Sequence, residues 1–389
     1  MGRQSSRFGG RAAIGADFFH AESGTSITDQ NGFQLRSGYY ADAASYPIAA
    51  QLEHCKISGI AATNSQSFVH LQSADNGAGT IVVAYSGASG ANVLVSTDNG
   101  ATWANVSAGS EPVTGVVWNG FRFIVAGNNG SNFYVRYSTN GTTWSGTATL
   151  AHTSVTTGSV RLAYNGTVVY GVGSNSTVAN ASAFTTTDGS TLTGRTAATS
   201  GLLSGLSGAN GVFVHTITSS AFYTSTDGIS WTSRSAPGTA EQSAHLGGQW
   251  LLKATTGNTY YVTSNFTSFT TGTIPGAASY CEANYSLSFD SSRVYVGLRN
   301  TSSGFCQPAI MWSPDLVNWY MRGVTAALGN NTAWHCHAGK YYFPKGATSS
   351  ATILRSSSFT TADYVGAALM TSTPTSLSSP AVMYRKLAD

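Results

Sequence analysis

Acid–base cleavage of a glycosidic bond takes two carboxyl groups a few ångströms apart, one protonated and one ionised. This chain has few to offer: Asp and Glu together number 16 in 389 residues. Glu111, Glu241 and Glu282 each lie just ahead of an alternating apolar run, where a β-strand would begin. Glu241 and Glu282 fall on consecutive strand groups, so a carbohydrate-active enzyme using that pair is one reading. Metal chemistry would need converging His and Cys side chains. In "WHCH" (334–337) His335 and His337 share one face of a strand, and Cys336 points to the other. His70 and His245 sit singly on other strand-like runs, beside Trp118, Tyr164, Tyr285 and Trp334. No second tight cluster follows and no Cys-x-x-Cys spacing occurs, so neither a metal nor another cofactor is expected.

The remaining aspartates belong to a different pattern. "STDNGATW" (96–103), "STNGTTW" (138–144) and "STDGISW" (225–231) are near-copies of one another. Weaker relatives begin at Thr186, Ser264, Ser313 and Ser356. The opening residues are separated by 42, 48, 39, 39, 49 and 43 residues. A period near 40–45 residues holding several short strands is the mark of a propeller blade. Each unit reads as strand, tight Asn-Gly or Gly-Gly hairpin, strand, variable polar loop, strand, motif turn, strand. The fold class expected is therefore all-β: a seven-bladed β-propeller of four-stranded antiparallel blades over 56–389, with 1–55 as an extended N-terminal docking arm. Either 379–389 or a strand within 50–63 can complete the blade that joins the two ends.

The motif Ser-x-Asp-x-Gly-x-x-Trp at a strand 3–4 turn resembles the Asp-box, or bacterial neuraminidase repeat. The resemblance implies that the turn is structural and faces away from any active site. Its residues here are Ser96, Asp98, Gly100 and Trp103; Ser138, Asn140, Gly141 and Trp144; Asp188 and Gly189; Ser225, Asp227, Gly228 and Trp231; and Asp315 and Trp319. The chemistry agrees, because Asn140 stands where the acid belongs. An amide can hold a turn as a carboxylate does, whereas a catalytic acid would not survive that exchange. Sialidase activity is not implied. The inner strands offer mainly Arg161 where that family needs an arginine triad, and no Phe-Arg-Ile-Pro segment occurs.

Function is then expected on the opposite face, among loops such as "SGASGAN" (86–92) and "SNSTVANA" (174–181), which are small and polar. Charged residues make up 9% of the chain and the net charge is +3, which gives no field for nucleic acid or a membrane surface. Cys281 and Cys306 fall on one side of the sixth blade, where a disulfide can join them; Cys55 and Cys336 have no evident partner. The first nineteen residues lack a continuous apolar core, so no signal peptide is expected. Their Arg3, Arg7 and Arg11, separated by glycines, and the aromatic pieces that follow cannot fold alone and would dock on another chain.

A low-charge, Gly/Ser/Thr/Asn-rich β chain with a docking arm resembles bacteriophage tail and tail-fibre proteins. That resemblance implies a non-enzymatic virion protein, made in the host cytoplasm and released by lysis. It would be present in several copies, held to other virion proteins through 1–55, and it would display a face to a host-surface glycan or protein. A lectin-like envelope protein is the alternative beside the glycosidase.

Overall fold

The fold was taken from a computed structural model, which describes residues 17–20, 33–35, 58–61, 69–86, 91–152, 160–173, 182–199, 203–255, 259–274, 281–282, 287–300, 309–323, 335–337, 340–347, 350–355 and 382–386. Among these the regular elements are all strands and every pairing is antiparallel. None forms a helix long and apolar enough to cross a membrane.

The chain divides into two compact units, 1–56 with 372–389, and 57–371. In the smaller, β31 (Val382–Lys386) lies between β1 (Asp17–His20) and β2 (Phe33–Leu35). Residues 372–389, which the sequence reading places in the large domain, therefore group with the N-terminal segment, because the last strand finds its backbone partners there.

The large unit repeats one sheet. First come β4 (Val69–Asp75), β5 (Ile81–Ser86), β6 (Ala91–Ser96) and β7 (Ala104–Gly109), paired in chain order. The second sheet is β8 (Gly115–Trp118), β9 (Phe123–Asn128), β10 (Asn132–Ser138) and β11 (Ser145–Ala151). The third is β12 (Val160–Tyr164), β13 (Val169–Gly173), β14 (Ala183–Thr186) and β15 (Thr193–Arg195). A continuous seven-stranded sheet follows, formed by β16 (Leu203–Ala209), β17 (Val212–Ile217), β18 (Ser219–Ser225), β19 (Thr232–Leu246), β20 (Gln249–Ala254), β21 (Thr259–Thr263) and β22 (Thr270–Thr273). It is two four-stranded groups sharing one strand. The first part of the 15-residue β19 pairs with β18 and its last part, from Ala240, pairs with β20.

In the next sheet β23 (Cys281–Glu282) and β24 (Leu287–Phe289) both pair with β25 (Val294–Asn300), followed by β26 (Ala309–Ser313) and β27 (Tyr320–Gly323). The last sheet is β28 (His335–His337), β29 (Lys340–Ala347), β30 (Ser350–Arg355) and β3 (Ser58–Ala61). Its fourth strand thus comes from the other end of the unit, with Ile60 opposite Ile353. Of the two ways of joining the ends, the strand within 50–63 is the one the chain uses.

Burial follows position in the sheet. The second strands β9 and β13 are buried at every residue, as expected for strands covered on both faces, and they read as near-continuous apolar runs. The fourth strand β11 is mostly exposed. Apolar clusters lie between successive sheets; one brings Phe133 and Phe184 to 5.2 Å between ring centroids. Both rings are fully buried, each a gain of roughly 1.5–3 kcal/mol over exposure. The innermost strands touch in series: β4 with β8, β8 with β12, β12 with β16, β16 with β19, β19 with β24, β24 with β28, and β28 with β4.

Candidate functional site

Every four-stranded group has two ends, and the residues sort between them. One end carries the strand 1–2 hairpins and the motif turns after strand 3. Ser225 Oγ accepts from the Gly228 amide at 2.8 Å and donates to Asp227 Oδ1 at 2.9 Å. Asp227 Oδ1 in turn accepts from the Ile229 and Ser230 amides at 2.8 and 2.9 Å. The carboxylate is spent inside its own loop. Burial pushes the Asp227 carboxyl up, and those hydrogen bonds outweigh it and hold it below the ordinary carboxylate value. Asp98 and Asp315 behave alike, with Thr102 and Asn318 as their main donors. Hydrogen bonding from Ser190 leads the lowering at Asp188. Asn140 Oδ1 makes the same two amide contacts, with Thr142 and Thr143 at 3.0 and 2.9 Å.

The fifth turn corrects the sequence reading by one residue. It opens on Thr263, the last residue of β21, and not on Ser264: Thr263 Oγ1 accepts from the Phe266 amide at 2.8 Å, and Asn265 takes the acid's place. Phe266 and Leu316 occupy the turn-glycine position with φ of 60° and 63°. The seventh copy, at Ser356, lies outside the described residues.

In three of the turns the closing tryptophan packs toward the preceding sheet. Trp231 stands 5.0 Å from Tyr170, and Trp319 stands 5.4 Å from Tyr260, donating to its hydroxyl at 3.1 Å. Trp144 joins the cluster between the first two sheets, while the Trp103 Nε1 donates to Gly100 O at 3.2 Å. Gly100, Gly141, Gly189 and Gly228 all have positive φ.

The other end carries the starts of the first strands, the ends of the second strands, and a polar cluster. Arg161, second residue of β12, donates from Nη1 to Ser204 O at 2.8 Å, at the start of β16. Thr216, near the end of β17, donates from Oγ1 to Glu241 O. Glu241 and Arg161 are both half-buried and attract one another electrostatically, yet Glu241 Oε2 and Arg161 Nε are each buried with no hydrogen-bond partner. Burial pushes the Glu241 carboxyl up, against the opposing pull of Lys253 and Arg161. Burial brings the Arg161 guanidinium down to about 10, with Glu241 opposing. Lys253 is 1% exposed and donates to Ala254 O at 2.9 Å. His215 is also 1% exposed, with both ring nitrogens unpartnered; burial and then the Arg161 charge lower it to about 4, so the ring is neutral near pH 7.

Two glutamines and a glycine set the frame. Gln72 Oε1 on β4 accepts from the amides of Val116 and Leu162 at 3.3 and 2.9 Å, and its Nε2 donates to Leu162 O. One side chain thereby fastens three first strands beside Arg161. Gln242 Oε1 accepts from the Leu287 amide at 2.6 Å in the same manner. A Cβ on Gly205 would meet Thr216 Oγ1 at 2.6 Å and Glu241 O at 2.7 Å, so only glycine lets β16 approach β19 this closely.

No protein-family model matches this sequence, and no curated protein does. Among solved structures the chain is similar to YCF48 bound to D1 peptide, with a TM-score of 0.54, 13% identity, and coverage of 80% of this chain and 99% of that one. It is also similar to Raptor of Chaetomium thermophilum, with a TM-score of 0.50, 11% identity, and coverage of 77% of this chain and 30% of that one. Both neighbours are propeller-like, as are the repeated four-stranded sheets. The fold is a β-propeller.

Within the propeller the predicted residues separate clearly. Glu241 and Arg161 come together at the end opposite the turns. Glu111, ahead of β8, meets the Ser110 hydroxyl at 3.1 Å and takes no part in the cluster. Glu282 has its backbone on β23 opposite Arg299, and its side chain lies outside the described residues. Cys281 stands opposite Asn300 on the same strand; Cys306 and Cys55 lie outside the described residues, and of Cys336 only the backbone, on β28, is described. His245 packs against Trp250 at 5.2 Å, and the described residues hold no group of three or more His, Cys, Asp and Glu placed to bind a metal ion. The backbones of His70, His335 and His337 lie on β4 and β28.

Sequence reasoning missed His215, Lys253, Gln72 and Thr216. It read the hairpin asparagines as turn formers only and missed that they tie one blade to the next. Asn119 donates to Thr187 O at 2.9 Å, and Asn165 to Thr226 O at 2.9 Å and Gly211 O at 3.2 Å. The available signal was the dipeptide Asn-Gly recurring in "WNG" and "YNG" at the same place in two repeats.

Proposed function

We propose that this chain is a non-enzymatic structural and adhesion protein of a bacteriophage tail. The propeller is read as seven four-stranded blades closed into a ring, attached through its terminal segments and displaying the end opposite the motif turns to the host surface. One observation carries this reading. Because β3 supplies the closing strand, the propeller is complete without the outermost segments, and those pair with each other as β1, β31 and β2 in a unit of their own. A compact unit of its own made from the two terminal segments suits attachment to other virion proteins. The circuit of touching first strands, returning from β28 to β4, supports the ring. The near absence of charge and the abundance of Gly, Ser, Thr and Asn fit a particle released by lysis.

The test is mass spectrometry and immunogold labelling of density-gradient-purified particles from a phage that encodes the chain. The expected result is several copies per particle, labelled on the tail. A chain found only in the unfractionated lysate overturns the reading.

A glycosidase is the second reading, favoured by one observation: Glu241 is a half-buried carboxyl held above its ordinary value, as a general acid requires. Reducing-end release from polysaccharide by the purified chain, abolished by Glu241→Gln, would establish it. The adhesion reading expects no release.

A further inference from the structure

We infer that Asn210 is a self-modification site, converted in the folded chain to aspartate and isoaspartate by the backbone nitrogen of Gly211. Asn-Gly is the dipeptide most open to this reaction, because glycine has no side chain to shield its nitrogen. The nitrogen loses its proton and bonds to the asparagine Cγ. The Cγ–Nδ2 bond breaks, and ammonia leaves with that proton. Water then opens the five-membered imide at either carbonyl. Both products add one negative charge, and in isoaspartate the main chain also gains the side-chain carbon.

The pair Asn-Gly occurs eight times in the sequence, and seven copies lie among the described residues. Reaction needs Cγ to swing onto the glycine nitrogen, so a hydrogen-bonded side chain resists it. Six of the seven are held in this way. Asn76 Oδ1 accepts from the Ala78 and Thr80 amides at 2.9 and 3.0 Å. Asn129 Oδ1 accepts from those of Ser131 and Asn132 at 3.0 and 2.9 Å, and Asn140 is bound by Thr142 and Thr143. Asn119 and Asn165 are buried, and each is bound through both its oxygen and its nitrogen. Asn99 is engaged as well, and its glycine, Gly100, is buried with its amide on Ser96 Oγ at 2.7 Å.

Asn210 differs from all six. It is exposed at the tip of the β16–β17 hairpin, and its side chain has no hydrogen-bond partner among the described residues. Its backbone is left-handed, with φ of 48°, a conformation that a side chain bears less easily than glycine does. The remaining restraint is on Gly211, whose amide donates to Asn165 O at 2.7 Å. Both turn residues are exposed, so the local opening that frees this nitrogen is cheap. The product acts on the same contact. Gly211 O also accepts from Asn165 Nδ2 at 3.2 Å, so a carbon added to the main chain between Asn210 and Gly211 displaces both halves of the tie to the β12–β13 hairpin.

The experiment stores the folded full-length chain at mildly alkaline pH and maps its peptides over days by mass spectrometry, with isoaspartate read by enzymatic methylation. Asn210 is expected to react roughly fivefold or more faster than the other six, the factor that one further hydrogen bond supplies. In guanidinium chloride the fold is gone and the seven rates are expected to converge. Asn210→Gly suits the left-handed backbone and removes the reacting amide, so its urea midpoint is expected to hold on storage while that of the wild type falls. Other pairs reacting as fast as Asn210 in the folded chain, or a spread of rates that survives in guanidinium chloride, overturns the site. An unchanged urea midpoint in fully modified wild type overturns the effect on the tie.

Discussion

Asn165 reaches out of its own hairpin to the turn of the following blade, its Nδ2 donating to Thr226 O at 2.9 Å. The same side chain accepts from the amides of Thr167 and Val168 through Oδ1, both at 3.0 Å, so one amide closes a hairpin and joins two blades. Asn165 is 1% exposed, and truncating it strands polar groups on both sides. Asn165→Ala is expected to cost about 2 kcal/mol, read as a lower urea midpoint with an unchanged slope. An Asn119→Ala chain should behave alike, because Asn119 makes the equivalent bond to Thr187 O.

Gly228 and Gly211 provide a matched pair. Both adopt the left-handed backbone, with φ of +71° and +76°. A Cβ on Gly228 would press on Thr185 and Tyr170 of the preceding blade at 3.0 Å, whereas on Gly211 it meets nothing within 4 Å. Each alanine substitution should cost about 1–2 kcal/mol for the backbone alone. Gly228→Ala is expected to cost more than Gly211→Ala, and the excess measures how tightly the turn seats against its neighbour.

These turns were legible in the sequence because the glycine, the acid and the aromatic recur together. They fade where the geometry is kept by other residues. At Phe266 and Leu316 the left-handed position is filled by side chains that give no hint of it, and two adjacent hydroxyls, Thr263 and Ser264, let the register slip by one. Glu241 and Arg161 stood out singly, as a carboxyl ahead of a strand and an inner-strand arginine, but their grouping with His215 and Lys253 had no local signature. The four come from strands of three blades, and His215 and Lys253 look in isolation like ordinary strand residues. Only ring curvature, which turns the first strands toward one another, brings them together.

His215 sets an acid limit on stability. Its folded-state value is lowered from 6.5 to about 4, by burial and then by Arg161. Between those values the unfolded chain carries the extra proton, so this contribution is full above about pH 6.5 and is lost as pH falls toward 4. The total is about 3 kcal/mol. Glu241, held above its ordinary value, has the opposite sign and partly offsets this. The measurement is therefore the difference in urea stability between wild type and His215→Gln across that window, which should narrow steadily on acidification.

Arg161 is coupled to both neighbours, and removing its charge should show it. In Arg161→Met the His215 ring loses a repelling cation and its value should rise. The Glu241 carboxyl loses an attracting one and should rise further. Titration of both groups by NMR checks the two directions, and a His215 value that stays in place would mean that the charges do not face each other.

The turn carboxylates act at lower pH. Asp98, Asp188, Asp227 and Asp315 lie below their ordinary value in the folded chain, so their contribution is present above about pH 4 and disappears as pH falls through the folded-state values. The blades carrying Asn140 and Asn265 are exempt. Asn140→Asp is expected to add acid sensitivity of the same sign, and Asp227→Asn to remove some, both read from the urea midpoint between about pH 5 and 3.

The pairing of β3 with β30 puts an order on manufacture. Ile60 emerges from the ribosome roughly 290 residues before its partner Ile353, a wait of about 15–60 s at ordinary elongation rates. Throughout that interval every blade already made belongs to an open arc that ends in the unpaired strand β3 on one side and an uncovered apolar sheet face on the other, both of which invite association with a neighbouring nascent chain. A product terminated anywhere before Ser350 lacks the strand that β3 needs and stays an arc. The early strand thus acts as a completeness check, admitting to the closed state only chains translated through the last blade.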